Sequence, residues 1–273
     1  MKNNSINSRF QFQKYKKNES FKGSLFYLIL VFIILLHMPI VFANNIFHSQ
    51  LTQQSSVSEK HLINNSALSE NSIEDHAIAA AYDNMQLKEL GLSKQTFEYA
   101  IKGFNYLVHK RELAKDNIIS IVDFSQPSSK KRLFVIDLNN CQVLFYTYVA
   151  HGVNSGKEYA NAFSNKPSSY KSSLGFYETQ NTYIGGHGYS LRLQGLENGI
   201  NDNANSRDIV IHGAAYVNES LIKAQGYIGR SWGCPALPEN LFKPIIDKIK
   251  NGSCLFIYSP DHAYLQKSKI INA

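Results

Sequence analysis

The chain has 273 residues, of which 44% are hydrophobic and 12% aromatic, enough to bury one large core or two small ones. Its net charge of +7 is concentrated at the start: Lys2, Arg9, Lys14, Lys16, Lys17 and Lys22 are six of the 28 basic residues and Glu19 is one of the 21 acidic, so the remainder carries 22 against 20. A near-neutral remainder removes the charge argument for a nucleic-acid partner.

Residues 1–43 have the layout of an export segment. A basic n-region leads into an unbroken apolar run from Leu25 to Leu36, and Val41-Phe42-Ala43 offers a cleavage site. The competing reading is an uncleaved membrane anchor, since a span needs about 20 residues, although His37 and Pro39 interrupt the stretch. On either reading the basic flank stays inside, the remainder is exported to the periplasm or cell envelope, and any membrane contact is through this segment. Residues 44–71, rich in Asn, Ser and Gln without a sustained period, read as a polar linker.

A helical pair is expected over 72–113. Ser72 with Asp75 begins the first helix in capping-box fashion and Gly91 suits its end. Ser93 caps the second, where Phe97, Ile101, Phe104 and Val108 form one apolar face for core packing. From 114 to 262 the period shortens. Strands are expected at Ile118–Phe124, Arg132–Leu138, Gln142–Val149, Ser190–Leu193, Asp208–His212 and Cys254–Tyr258, with a tight hairpin at Asn139-Asn140. A short helix is expected between Glu239 and Lys250, with Ile245, Ile246 and Ile249 on one side. The fold class is mostly β (α+β), with the helical pair packed alongside; residues 263–273 read as a C-terminal tail. Residues 150–205 are so dense in Gly, Ser, Asn and Tyr that they read as long ordered loops, where sites tend to be built.

The chemistry concentrates in Ile211–Pro238. Cys234 stands between Gly233 and Pro235, and a thiol attacks a carbonyl only as thiolate, which a nearby imidazole generates at neutral pH. Three His-Gly pairs offer that base, at His151, His187 and His212. His212 is preferred because it ends the apolar strand Ile209-Val210-Ile211 and precedes the cysteine motif. The Gly233 and Cys234 amides are candidates for an oxyanion site. Arg192, Arg207 and Arg230 lie in or beside these segments, and an arginine fork suits a carboxylate. Ser231, Trp232, His187 and Tyr216 are further candidates for contact with substrate, with the loops around Asn154, Ser173 and His187 as groove walls. The ordinary alternatives are a structural cysteine, satisfied histidines, structural ion pairs and packed aromatics. The spacing of His and Cys does not suit zinc, and no Gly-x-Ser-x-Gly is present. Cys141 and Cys254 either form a disulfide or serve as buried small hydrophobes in strands.

The His212-Gly213 pair followed by Ser231-Trp232-Gly233-Cys234 resembles the signature of the murein L,D-transpeptidase catalytic domain. The stretches AHGVNSG (150–156), FSN (163–165), SSLGFY (172–177), GGHGYSLRLQGLE (185–197) and GRSWGCPAL (229–237) resemble one branch of that family, over roughly Ile118 to Tyr258. The resemblance implies a β-sandwich-like catalytic domain and peptidoglycan stem peptides as substrate. It also implies a thioester on Cys234, with His212 as base and no cofactor. The expected reaction is L,D-transpeptidation at the diaminopimelate–D-alanine bond. The alternatives are an L,D-carboxypeptidase that hydrolyses the same thioester and a catalytically inert wall-binding protein. Trp232, Pro235 and Ala236 stand where the commoner branch carries His, a hydrophobic residue and Arg, so the usual substrate-holding arginine is missing from its place. Arg192 or Arg230 is a candidate to replace it. The sequence is silent on oligomeric state.

Overall fold

Runs of Ile, Val, Leu and Phe without polar alternation suit strands covered on both faces, and three such runs form the middle of the molecule. These are β1 (Ile118–Asp123), β2 (Leu133–Asp137) and β8 (Cys254–Tyr258), each buried along its whole length. The computed structural model describes residues 75–273; the export segment 1–43, the linker 44–71 and the start of the helical pair at 72–74 lie outside the described residues. The other strands are β3 (Gln142–Thr147), β4 (Gly175–Gly185), β5 (Gly188–Gly195), β6 (Val210–Gly213) and β7 (Ala236–Leu237).

All eight belong to one sheet in the order β3-β2-β1-β8-β4-β5-β6-β7. The pairs β1/β8 and β6/β7 are parallel and the rest antiparallel. Just beyond β3 the Ala150 N–H donates to the Ala236 carbonyl at 2.9 Å, so the two edges of the sheet meet. Joining the edges leaves few unpaired strand groups open, and it gives a nearly closed, barrel-like form. The mostly β, α+β expectation therefore holds, with its layers built from one sheet that curls round.

Helix α1 (75–84) is followed by α2 (Lys94–His109), whose start is fixed by Ser93 Oγ accepting from the Thr96 N–H at 3.1 Å. Phe97, Ala100, Ile101, Phe104 and Leu107 of α2 are buried against β1 and β8, in the same core as the sheet. Burial of each large side chain stabilises by roughly 2 kcal/mol. Leu107 takes the place expected of Val108, which is only partly buried. Tyr99 meets Tyr258 of β8 at 6.1 Å between ring centroids.

Several local readings change. The turn between β2 and β3 spans 138–141, and its left-handed residue is Cys141 (φ 47°) rather than an asparagine. Cys141 is exposed there, while Cys254 is buried in β8, and both are free. The pair is thus not bridged, and Cys141 is not a core residue. The loop-like 150–205 contains β4, the longest strand, and a helix α3 (Glu219–Gln225) follows β6. Helix α4 (Phe242–Ile249) lies within the expected span and buries Ile245, Ile246 and Ile249.

The stretch read as a tail is integral. Helix α5 (His262–Lys267) is capped by Asp261, and Tyr264, Ile270 and Ile271 are buried. The Tyr264 hydroxyl (3.1 Å) and the Ser268 hydroxyl both donate to the buried Glu197 carboxylate, which also receives the Phe176 N–H at 2.9 Å. A boundary at 262/263 would cut through that network.

Candidate active site

Strand alternation puts Val210 and His212 on the same face of β6. Their partner across the parallel pairing is the stretch leading into β7, where Ala236 stands opposite His212. Two residues earlier, Cys234 comes to Val210: the Val210 N–H donates to Sγ at 3.5 Å, and the thiol donates to the Asp208 carbonyl at 3.5 Å. The β6–β7 register therefore sets Cys234 level with Val210, two residues along the ribbon from His212. His212 and Cys234 both line a cleft of about 420 Å³.

The His212 ring has a defined tautomer. Nδ1 lies 2.9 Å from the Gly213 carbonyl, which can only accept, so Nδ1 carries the proton and Nε2 is left as the basic nitrogen. Burial lowers the imidazole's proton affinity; the Gly213 carbonyl raises it and the neighbouring His187 lowers it. Cys234 is 9% exposed. Burial pushes its ionisation above the ordinary thiol value, opposed by the Val210 N–H and the Arg207 charge, with Asp208 adding to the rise. The cleft therefore holds a neutral thiol and a neutral imidazole at rest, and the thiolate has to be made by proton transfer.

Ser231 and Gly233 fix the backbone at the nucleophile. Ser231 Oγ donates to the Cys234 carbonyl at 2.7 Å and accepts from the Gly233 N–H at 3.0 Å. Both functions of that hydroxyl are committed to the loop, so Ser231 shapes the site although it was expected to bind substrate. The Gly233 N–H is committed as well and is not free for an oxyanion. The Cys234 N–H has no hydrogen-bond partner among the described residues. Gly233 has φ 129°, and a Cβ there would stand 2.9 Å from both Ile209 Cδ1 and the Lys171 carbonyl. Gly233→Ala should destabilise the fold by about 2 kcal/mol through backbone strain; thermal unfolding would show it, together with a loss of Cys234 reactivity.

Beneath this loop lies a buried cation with no carboxylate in ion-pair contact among the described residues, although the charge of Asp123 favours it. The fully buried Arg132 donates to the Val149 carbonyl (3.2 and 3.0 Å), the Gln126 carbonyl (2.8 Å) and His151 Nδ1 (2.7 Å). Burial and the Arg132 charge push His151 down to about 3, so it stays neutral. The His151 carbonyl accepts the Ser231 N–H at 2.9 Å, which props up the nucleophile loop from behind. His151 thus holds the scaffold, the ordinary reading for a strand-end histidine.

The remaining expected residues divide. His187, Arg230, Trp232 and Tyr216 line the cleft; Arg192 does not. Its guanidinium lies 4.2 Å from the Tyr183 ring centroid, and Tyr183 does line the cleft, so Arg192 acts one layer behind. Asn154 and Ser173 likewise support the wall: Asn154 donates to the Ser169 carbonyl and Ser173 to the Ser164 carbonyl. Trp232 is 76% exposed and pairs with Tyr170, 42% exposed, at 5.5 Å. Arg207 has a larger part than the sequence suggested. It lines the cleft, but its fork donates to the Ser164 and Lys171 carbonyls and to Ser173 and Ser169 Oγ at 2.6–3.1 Å. It staples the 164–173 wall with a charge that favours the Cys234 thiolate. The Gly213 carbonyl, a main-chain group, had no side-chain signal at all.

A family model of the L,D-transpeptidase catalytic domain matches residues 88–258. A comparison with curated proteins found no significant match. Among solved structures, an L,D-transpeptidase from Mycobacterium smegmatis is 13% identical, covering 52% of this chain and 59% of that one, with a TM-score of 0.32. One from Stackebrandtia nassauensis is 17% identical over 61% and 67%, TM-score 0.32. L,D-transpeptidase 1 of Mycobacterium tuberculosis is 10% identical over 52% and 62%, TM-score 0.30. This chain thus spans about three fifths of the length of the first of them.

Proposed function

The chain belongs to the L,D-transpeptidase catalytic-domain family, and from that premise we propose that it is an exported, cysteine-dependent L,D-transpeptidase acting on peptidoglycan tetrapeptide stems. The observation that carries the reading is the pairing, in one cleft, of the Cys234 thiol with an imidazole whose Nδ1 is tied to the Gly213 carbonyl. That bond orients His212 and reserves Nε2 for the proton of the nucleophile, as a third group does in other nucleophile–base pairs.

In the proposed reaction Cys234 Sγ bonds to the carbonyl carbon at the L-centre of diaminopimelate while its proton passes to His212 Nε2. The oxyanion that forms lies by the unpartnered Cys234 N–H, one donor rather than two. Collapse breaks the C–N bond, His212 returns the proton to the departing D-alanine amine, and a thioester remains. An amine of a second stem then attacks the thioester carbonyl and gives a proton to His212 Nε2; the C–S bond breaks, that proton returns to the Cys234 thiolate, and a 3–3 cross-link is formed. Arg230 is the cleft arginine with donors to spare, since among the described residues its one hydrogen bond runs to the Gly156 carbonyl at 3.2 Å, whereas the fork of Arg207 is committed to the wall. We assign it the substrate carboxylate. The segment 1–43 would deliver the domain to the envelope.

Incubation with purified tetrapeptide muropeptides, followed by mass analysis, tests this. Cross-linked dimers with release of D-alanine are expected. Tripeptides alone would make the protein a carboxypeptidase, and unchanged substrate bound to the protein would make it an inert wall binder.

A further inference from the structure

The β4–β5 hairpin closes at Gly185 paired with Gly188, with Gly186 and His187 at the tip. β5 then pairs with β6 so that Ser190 stands opposite His212. In this antiparallel register the tip overhangs the end of β6 at which His212 sits. His187 is exposed, yet its ring lies flat on His212, with 4.2 Å between centroids and 17° between planes. A long, glycine-flanked hairpin does not by itself require an aromatic ring at this point.

We propose that His187 is a positioning residue for the base: its ring clamps His212 from the cleft side, so that the Gly213 carbonyl and the stacked imidazole together hold the His212 ring at Cys234. The proposal rests on the reading of His212 as base. It differs from a substrate-binding role for His187, because the partner of the ring is His212 itself. The Gly213 bond holds one edge of the ring, and a face-on neighbour limits the tilt about χ2 that this bond still permits. The strand neighbours of His212, Ser190 and Ala236, carry no charge. The titratable and charged groups around the cleft are Cys234, Tyr170, Tyr183, Tyr216, Arg207, Arg230 and Asp208, and helix α4, packed on β6, adds Lys243, Asp247 and Lys248; the charge that bears on His212 is that of His187, which opposes a second charge on the stacked ring.

Two variants separate clamp from charge. His187→Phe keeps a flat ring without charge, and His187→Ala removes both. For His187→Ala, kcat on tetrapeptide muropeptides should fall about 10-fold while KM changes less than about 3-fold, because a misplaced base is lost from the transition state and not from binding. For His187→Phe, kcat should stay within about 3-fold of the parent. In both, the His212 imidazole titration followed by NMR should move to higher pH, since a like charge has been removed. The acidic limb of kcat should move the same way, because neutral His212 is the active form. A rise in KM with kcat unchanged would overturn the clamp and make His187 a substrate ligand. An unmoved His212 titration in both variants would overturn it too. The NMR titration needs no turnover, so a parent protein that fails to process muropeptides would count against the transpeptidase reading and leave this inference separately testable.

Discussion

Cys234→Ala is expected to lower D-alanine release from tetrapeptide muropeptides by about 10⁴-fold or more, since Cys234 is the thiol that lines the cleft and its thiolate is the proposed nucleophile. The loss would come from chemistry and not from unfolding. Cys234 is a small side chain at a cleft wall, and removing one buried sulfur leaves a void worth about 1 kcal/mol, so the unfolding temperature should change little. Cys141 supplies the matched control. It sits exposed on the 138–141 turn and is absent from the cleft, and Cys141→Ala should keep full activity. Activity in Cys234→Ala equal to the parent would remove the nucleophile assignment.

The second large effect is at the base. His212→Ala should lower kcat by about 10²–10⁴-fold, and the thiol itself should report why. Burial raises the ionisation of Cys234 above the ordinary thiol value, so at neutral pH it is protonated. Without His212 to take the proton, thiolate forms only as pH rises through that elevated value. Alkylation of Cys234 should therefore slow at neutral pH and recover only under alkaline conditions. An alkylation rate and pH profile identical to the parent's would show that His212 is not the base.

Side-chain chemistry and local periodicity carried much of this into the sequence. A lone cysteine between glycine and proline, and a histidine ending an apolar strand, identify the two residues that the fold then places in one cleft. The β-branched runs of β1, β2, β6 and β8 were readable because burial on both faces demands continuous apolar residues. β4 was not, because Gly175, Glu178, Gln180 and Asn181 break any alternation, and its pairing is decided by β5 and β8. Helix α3 had its signals in plain view: Asn218 accepts the Leu221 N–H and Gly226 ends the helix at φ 87°. No helix is expected there from periodicity, because the seven residues between the two caps are too few to show an apolar face. The tail helix is not legible because its partners are distant in sequence: Tyr264 and Ser268 bond to Glu197, more than 60 residues away, and Tyr264, Ile270 and Ile271 join the main core.

Within the site, what escaped the sequence is main-chain or long-range. No composition shows that Ser231 consumes the Gly233 amide, or that the Gly213 carbonyl selects the His212 tautomer. Arg207 carries the same lesson. As a side chain it was a candidate substrate fork, but the fold brings Ser164 and Ser169 to it and commits its donors to the wall. Arg230 has a single hydrogen bond among the described residues, to the Gly156 carbonyl, and so is the arginine to which the substrate carboxylate is assigned in the proposed reaction.

The most direct test of the central claim is the mass of the intact protein, acid-quenched within the first turnovers on tetrapeptide muropeptide. The account predicts an added mass equal to the substrate less D-alanine, mapping to the peptide that contains Cys234 and absent from Cys234→Ala. Release of D-alanine with no adduct on the protein, or an adduct on any other residue, would contradict it.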